Sequence, residues 1–202
     1  MTRLTPSFFF SDTITLAQKL LGQRLVRVLE DGRRLAGYIV ETEAYIGQDD
    51  AACHASRGRT PRNEVMFGPP GHAYIYFIYG MYYCLNVVSE QEGFPAAVLI
   101  RALEPVEGIE TMRELSRGAS DLRLTSGPGR LCRAMAIDRR LNGCDLSCDE
   151  RLFLEEGISP AKIMVGRRVG ITADEIARQR PWRFYVADNP FVSPGHKLSR
   201  NH

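Results

Sequence analysis

The chain lacks any apolar run of the roughly 20 residues that a membrane-spanning helix needs, and its most aromatic stretch, "YIYFIYGMYYCLNVV" at 74–88, is interrupted by Gly80 and Asn86. A membrane segment is therefore excluded there. Its five cysteines (Cys53, Cys84, Cys132, Cys144, Cys148) form an odd set without a CxxC pair, and no His accompanies Cys144 and Cys148, which argues against a disulfide framework and against zinc. The early "SFFF" run stops at Ser11-Asp12 and is too short for a secretion signal, so the expectation is free thiols in a reducing compartment. Lysine is scarce too, with three (Lys19, Lys162, Lys197) against 23 arginines. The arginine fork suits phosphate and buried carboxylate, although GC-rich coding gives the same bias. A net charge of only +2 removes any argument from a long-range basic field.

What is present is an ordinary globular composition, 44% hydrophobic and 25% charged over 202 residues, too apolar for disorder and long enough to bury one substantial core. No repeat, linker or low-complexity tract marks a boundary, so one domain over 1–202 is expected, with 195–202 as a loose tail. "SDTITLAQKLLG" at 11–22 has a capping start, helical apolar spacing and a terminal glycine. "RLVRVL" and "RRLAGYIVETEAY" flank Glu30-Asp31-Gly32 and predict an antiparallel hairpin. Residues 47–72 read as a long loop, and 74–88 with "AAVLIRALEP" at 96–105 as a central sheet. Helices follow near 105–117 with Pro105 in the first turn, at "SGPGRLCRAMAI" with Pro128 near its start, and after a Thr172 to Glu175 capping box. "RLFLEE", "KIMVGRRVGI" and "RFYV" look like strands, completing a mixed α/β chain.

Alternation along "GYIVETEAY" puts Glu41, Glu43 and Tyr45 on one face if the strand stays regular. A buried carboxylate needs a partner, and Arg101 within the apolar "AVLIRAL" has the mirror problem, so a Glu43–Arg101 pair resolves both. A purely structural ion pair, or two solvated strand-end residues, satisfies the same features. Two carboxylates also fit a glycosidase acid and base, but Glu41 and Glu43 project side by side rather than from opposite sides of a bond, so one is read as catalytic and the other as support. "HASRGRTPRN" gathers His54, Arg57, Arg59 and Arg62, donors suited to a phosphodiester backbone or to a solvated loop. "SGPGR" offers backbone amides and Arg130 at a helix start; without a GK[ST] ending it is not a mononucleotide loop. In 74–88 the alternation restarts after Tyr79-Gly80, which makes these residues a hairpin tip with Tyr79 projecting outward. Tyr74, Tyr82 and Tyr83 are expected in the core.

These motifs resemble the alkyladenine type of 3-methyladenine DNA glycosylase: "VETEAY" at 40–45, "HASRGRTPRN" at 54–63, the whole of 74–88, "VLIRALEP" at 98–105, "SGPGRLC" at 126–132 and "RFYV" at 183–186. The resemblance spans about residues 4–194. It implies a mixed α/β (α+β) single domain with a curved antiparallel sheet, a protruding β-hairpin and surrounding helices, and no cofactor or metal. It implies base excision repair of double-stranded DNA containing damaged purines by a monomer in the cytoplasm, at the nucleoid. By the same resemblance Glu43 is the base that activates water, and Arg101 lies beside that water. Tyr45, His54 and Tyr76 hold a flipped base, and Asn86 screens the guanine amino group. Tyr79 is a wedge in the duplex with Met81 behind it, and Arg130 with its glycine-rich neighbours contacts the backbone. Strand cleavage coupled to excision would need an amine nucleophile; no lysine lies in a matching motif, so a monofunctional enzyme is expected. The shorter "HASRGRTPRN" and the short N-terminus resemble the compact bacterial form. Two other readings remain at this point, a nucleic-acid-binding module in which Glu43 is structural and a hydrolase of free nucleosides. The latter has no use for an exposed Tyr79.

Overall fold

The protein is represented by a computed structural model that describes residues 2–194; the expected tail 195–202 lies outside the described residues. A 3-10 turn, Pro6–Phe9, precedes helix α1 (Thr13–Lys19), where the Asp12 carboxylate accepts from the Thr15 amide at 2.9 Å. That bond satisfies one of the helix's orphan donors and starts the helix one residue after the aspartate. The hairpin around Glu30-Asp31-Gly32 forms as expected from β1 (Arg24–Val28) and β2 (Arg34–Ile46), with Val28 opposite Arg34.

The 47–72 segment is irregular except for a 3-10 turn at Glu64–Phe67. It leads into β3 (Ala73–Ile78) and β4 (Tyr82–Val88), then β5 (Ala96–Glu107). Helices α2 (Ile109–Leu115), α3 (Asp121–Leu124) and α4 (Pro128–Ala134) follow, then β6 (Leu152–Glu155), β7 (Ile163–Gly166), α5 (Glu175–Gln179) and β8 (Arg183–Val186). The strands join one curled, antiparallel sheet in the order β3-β4-β5-β2-β1-β6, with β8 and then β7 added on β2. This is a mixed α/β fold with an antiparallel sheet, as the sequence implied.

Strand β2 organises the sheet. β5 runs along one edge from Ala36 to Ile46, so β1 and β8 must share the other, pairing with Arg34–Tyr38 and Glu41–Glu43 in turn. One continuous core of Leu16, Leu20, Leu25, Leu35, Ile39, Leu85, Ile100, Leu103 and Leu131 lies between the sheet and α1 and α4. A smaller cluster of Cys53, Ala55, Met66, Phe67, Tyr74, Val88 and Ala97 closes the far end of the sheet beneath the long loop. The pairing of β2 with β5 is not regular. Glu41 lies opposite Ala102 and Thr42 opposite Ile100, so Arg101 bulges out of the ladder between them. Bulges bend strands and re-aim side chains.

Several local expectations need correcting. Pro105 does not open a helix; it lies in β5 opposite Gly37, beside a register shift, where a residue without an N–H is tolerated. The helix that follows begins after Gly108 instead. The Thr172 to Glu175 capping box does not form, because the nearer Asp174 caps α5 and accepts from the Ala177 amide at 2.7 Å. "KIMVGRRVGI" is a strand only to Gly166, and Val169 and Gly170 turn. Tyr74 is buried, but Tyr82 and Tyr83 are only half-buried. Tyr82 packs against Gly129 of α4, where a Cβ would come within 2.8 Å of its ring.

Gly108 takes φ +74°, and a Cβ there would meet the Arg34 carbonyl oxygen at 2.4 Å. Gly108→Ala is expected to destabilise the protein by about 1–3 kcal/mol, read as a lower urea midpoint at unchanged slope.

Candidate active site

Burial of carboxylates is tolerated only when donors surround them, and β2 carries two fully buried ones, Glu41 and Glu43. The bulged Arg101 reaches both, with Nε 2.9 Å from Glu41 Oε1 and Nη1 3.3 Å from Glu43 Oε2. The expected Glu43–Arg101 pair is therefore present, with Glu41 as a third member. Glu41 is filled by donors: besides Arg101 it accepts from Arg183 Nε at 2.6 Å, Ser193 N–H at 2.7 Å and Ser193 Oγ at 2.9 Å. A carboxylate has about four acceptor positions, and Glu41 uses that many. Glu43 accepts three bonds among the described residues, from Arg101, from the Val169 amide at 2.6 Å and from the Tyr45 hydroxyl at 2.9 Å. Among the described residues Glu43 thus accepts one bond fewer than Glu41.

The electrostatics separate the residues further. Burial raises the Glu43 pKa above its ordinary 4.5, and the opposing pull of Arg101, the Val169 amide and Tyr45 does not cancel it. Burial first, and the Glu43 charge second, push the Tyr45 phenol well up, so it stays a donor. A raised carboxyl pKa means a stronger base whose charge is held in a low-dielectric site.

One aromatic wall stands beside this pair. The His54 ring meets Tyr76 edge-on at 4.3 Å between centroids and exchanges a hydrogen bond of 2.9 Å with the Tyr74 hydroxyl. Tyr76 lies 5.5 Å from Tyr74. Loss of water against these rings, and then the nearby Arg62 charge, lower the His54 pKa to about 4, so the imidazole is neutral at pH 7. Tyr45 and Tyr76 are half-buried and pack on the smaller cluster, which leaves ring surface available to a ligand. Asn86, opposite Tyr74 in β4, is buried and donates to the Tyr74 carbonyl at 3.0 Å.

The tip of the β3–β4 hairpin forms where expected. Tyr79 and Gly80 both have positive φ, +54° and +66°, and the Met81 amide closes on the Ile78 carbonyl at 3.3 Å. Positive φ at both central residues is the turn that suits strand twist. Tyr79 is 81% exposed and Met81 59%, and Phe77 joins them on the surface at 48%. Three exposed large apolar side chains at one hairpin end form a patch that a lone surface residue would not.

The arginines differ in availability. Arg59 is held by Glu64 through two bonds of 2.8 and 2.5 Å, which reduces its use as a free phosphate donor. Arg62 lies over the Tyr76 ring at 5.7 Å and donates to the Phe77 carbonyl, between the loop and the hairpin. Arg57 is exposed without an ion pair among the described residues, and Arg130 is exposed with one bond to the Ser126 carbonyl.

Sequence reasoning missed the residues that hold this site. Asn63 is buried; its amide group donates to the His54 and Gly58 carbonyls and accepts from the Thr60 amide, closing the loop that carries His54. Its place in "TPRN" was the available signal. Arg183, Ser193 and Val169 gave none, being more than 120 residues from Glu41 and Glu43.

Residues 7–190 match the family model described as methylpurine-DNA glycosylase. A protein of Methanocella arvoryzae named "Putative 3-methyladenine DNA glycosylase" is 52% identical over 194 residues, covering 96% of each chain. One from Bacillus cereus with the same name is 50% identical over 200 residues, 93% of this chain and 97% of the relative. The DNA-3-methyladenine glycosylase of Mus musculus is 49% identical over 205 residues, 95% of this chain but 61% of that longer protein.

The two carboxylates should respond oppositely to neutralisation. Glu41→Gln leaves Arg183 buried beside a neutral amide and should cost about 3–5 kcal/mol in a urea melt. Glu43 has a raised native pKa, so its proton is bound more tightly in the native than in the unfolded state. Its contribution to stability is therefore lost as pH rises through the native pKa. Glu43→Gln removes that penalty, and its melting temperature at pH 7.5 should equal or exceed that of the parent protein.

Proposed function

The chain belongs to the methylpurine-DNA glycosylase family and is a DNA glycosylase for alkylated bases; on that premise we propose that it flips alkylated or deaminated purines from duplex DNA and hydrolyses their N-glycosidic bond with a Glu43-activated water. 3-Methyladenine and hypoxanthine are the substrates proposed first. The observation that carries this reading is the unequal bonding of the two carboxylates. Among the described residues Glu41 accepts from four donors, whereas Glu43, also buried, accepts from three, which leaves an acceptor position for the water, and has its basicity raised by burial. Enzyme membership of the family sets aside the binding-only alternative.

In this reading Glu43 accepts a proton as the water oxygen bonds to the sugar C1′, and the C1′–N bond breaks with its electron pair going to the base. Arg101 holds the Glu43 carboxylate, and with it the adjacent water, in position. A cationic alkylated purine leaves as a neutral base and needs little help; a neutral lesion must also gain a proton as it departs. Tyr45, Tyr76 and the neutral His54 ring take the flipped base, and Asn86 reads its edge. Extrusion costs a few kcal/mol, and each aromatic stack returns about 1–3 kcal/mol. Tyr79 fills the gap left in the duplex, with Met81 beside it, while Arg57, Arg62 and Arg130 face the phosphates and Arg59 contributes less. The three lysines are absent from the matched site, which supports a monofunctional enzyme that leaves an abasic site. The protein acts as a monomer in the cytoplasm, and among the described residues no helix is long and apolar enough to cross a membrane.

A duplex with one hypoxanthine or 3-methyladenine, treated with alkali and run on a denaturing gel, tests the reaction. The protein should give scission only after alkali, and Glu43→Gln should lower the single-turnover rate by about 10²–10⁴-fold. Duplex binding without an abasic product would sink the reading. The rate should fall with decreasing pH through a midpoint above 4.5, because ionised Glu43 is the active form and burial raises its pKa. A midpoint at or below that value would contradict the assignment.

Tyr79 occupies a left-handed conformation that favours glycine. Tyr79→Gly is thus expected to keep or raise the melting temperature while weakening binding to lesion duplex at least several-fold; equal loss of both would remove the wedge role.

A further inference from the structure

The sheet leaves one gap where the proposed chemistry sits. β8 pairs with β2 only through Glu43, opposite Arg183, and the Ala44 amide makes a last bond to the Trp182 carbonyl at 2.9 Å. Beyond that point the Ala44 carbonyl, between Glu43 and Tyr45, has a side chain as its partner: Arg168 Nη1 at 3.0 Å. The Arg168 side chain is fully buried. Its other bonds run to Asp50 at 2.5 and 2.8 Å and to the Ala177 carbonyl at 3.1 Å, so one guanidinium joins β2, the 47–72 loop and α5. The same group lies over the Tyr45 ring at 4.7 Å and the Trp182 ring at 5.1 Å. The next residue, Val169, supplies the backbone amide that bonds Glu43 Oε1.

We propose that Arg168 is the positioning residue of the site, fixing the Val169 amide on Glu43 and the Tyr45 ring beside it through its bonds to Ala44, Asp50 and Ala177. This inference rests on the reading of Glu43 as the base. Arg168 needs no contact with DNA. Its forked donors hold three backbone or carboxylate acceptors at once, which a lysine's point charge cannot reproduce. The hydrogen-bond partners of metal ligands, likewise one step removed from the chemistry, matter by about 10–100-fold in activity, and an effect of that order is expected here.

Arg168 also adds a cation to the surroundings of Glu43. From β2 itself Glu43 is faced by Glu41 and Tyr45, from β5 by Arg101, from β3 by Tyr76 and from β4 by Cys84; β8 places Arg183 opposite it in the ladder, and Arg168 adds a further cation. Removing that charge, and loosening the Val169 amide, both disfavour ionised Glu43. The midpoint of the acid limb must then move to higher pH, which a scaffold defect alone does not produce.

The experiment measures single-turnover excision against pH for the parent protein, Glu43→Gln, Arg168→Met and Arg168→Lys on a hypoxanthine duplex. Trp182, the sole tryptophan, reports the stack by its fluorescence in the intact protein, and thermal melts report the fold. Arg180 lies 3.5 Å from Asp50 in the parent protein, so an arginine remains beside that carboxylate when Arg168 is replaced. Arg168→Met should slow excision about 10–100-fold and raise the midpoint; Arg168→Lys should slow it comparably with a smaller shift. Parent-like rates in Arg168→Met, or slower rates with unmoved midpoints in both variants, would overturn the proposal. If the Arg168→Met protein does not fold, Arg168→Lys carries the test alone through the same comparison. Should Glu43→Gln keep the parental acid limb, the reading of Glu43 as the base fails independently of any Arg168 result.

Discussion

Arg101 sits in a bulge of β5, out of register between Glu41 and Thr42, and its guanidinium spans both buried carboxylates of β2. A regular ladder would place a paired residue there. The irregularity turns the arginine's side chain toward two negative charges that would otherwise be intolerable inside the sheet. Sheet geometry, local charge balance and the placement of Glu43 all depend on this one contact. The surrounding strands then add donors: β8 brings Arg183, and the Ser193 segment closes over Glu41.

The two glutamates divide the work of stability and chemistry between them. Glu41, enclosed by Arg101, Arg183 and Ser193, ties three parts of the chain together. Glu43 gains fewer bonds and retains a raised pKa, the signature of a group kept basic at some expense in stability. The same division recurs around the aromatic wall. Asn63 and Tyr74 are buried and hydrogen-bonded, whereas Tyr45, Tyr76 and His54 keep exposed surface toward the proposed ligand. At the hairpin tip Tyr79 accepts a left-handed backbone and a largely exposed ring, which neither packing nor propensity rewards.

Much of this was legible in the sequence where the signal is local. The Glu30-Asp31-Gly32 turn located the first hairpin, and Gly80 with the restarted alternation located the second tip. Glu43 and Arg101 could be matched because each was a charge in an apolar strand. Non-local and backbone contributions were not legible. Arg183 and Ser193 reach Glu41 across more than 140 residues, Arg168 reaches Asp50 across 118, and Val169 acts through an amide that every residue but proline carries. Pro105 misled because its fixed φ suits a helix start and an extended strand alike. The base-handling roles came from family resemblance, since tyrosines at strand positions look alike whether they pack or stack.

The central claim is that Glu43, and not Glu41, is the titrating base. The most direct test follows the side-chain carboxyl carbons of both residues by ¹³C NMR across pH and compares them with the single-turnover excision profile. The account predicts that Glu43 titrates above 4.5, at the kinetic midpoint. A kinetic midpoint that follows Glu41, or a Glu43 carboxyl that titrates at or below its ordinary value, would contradict it.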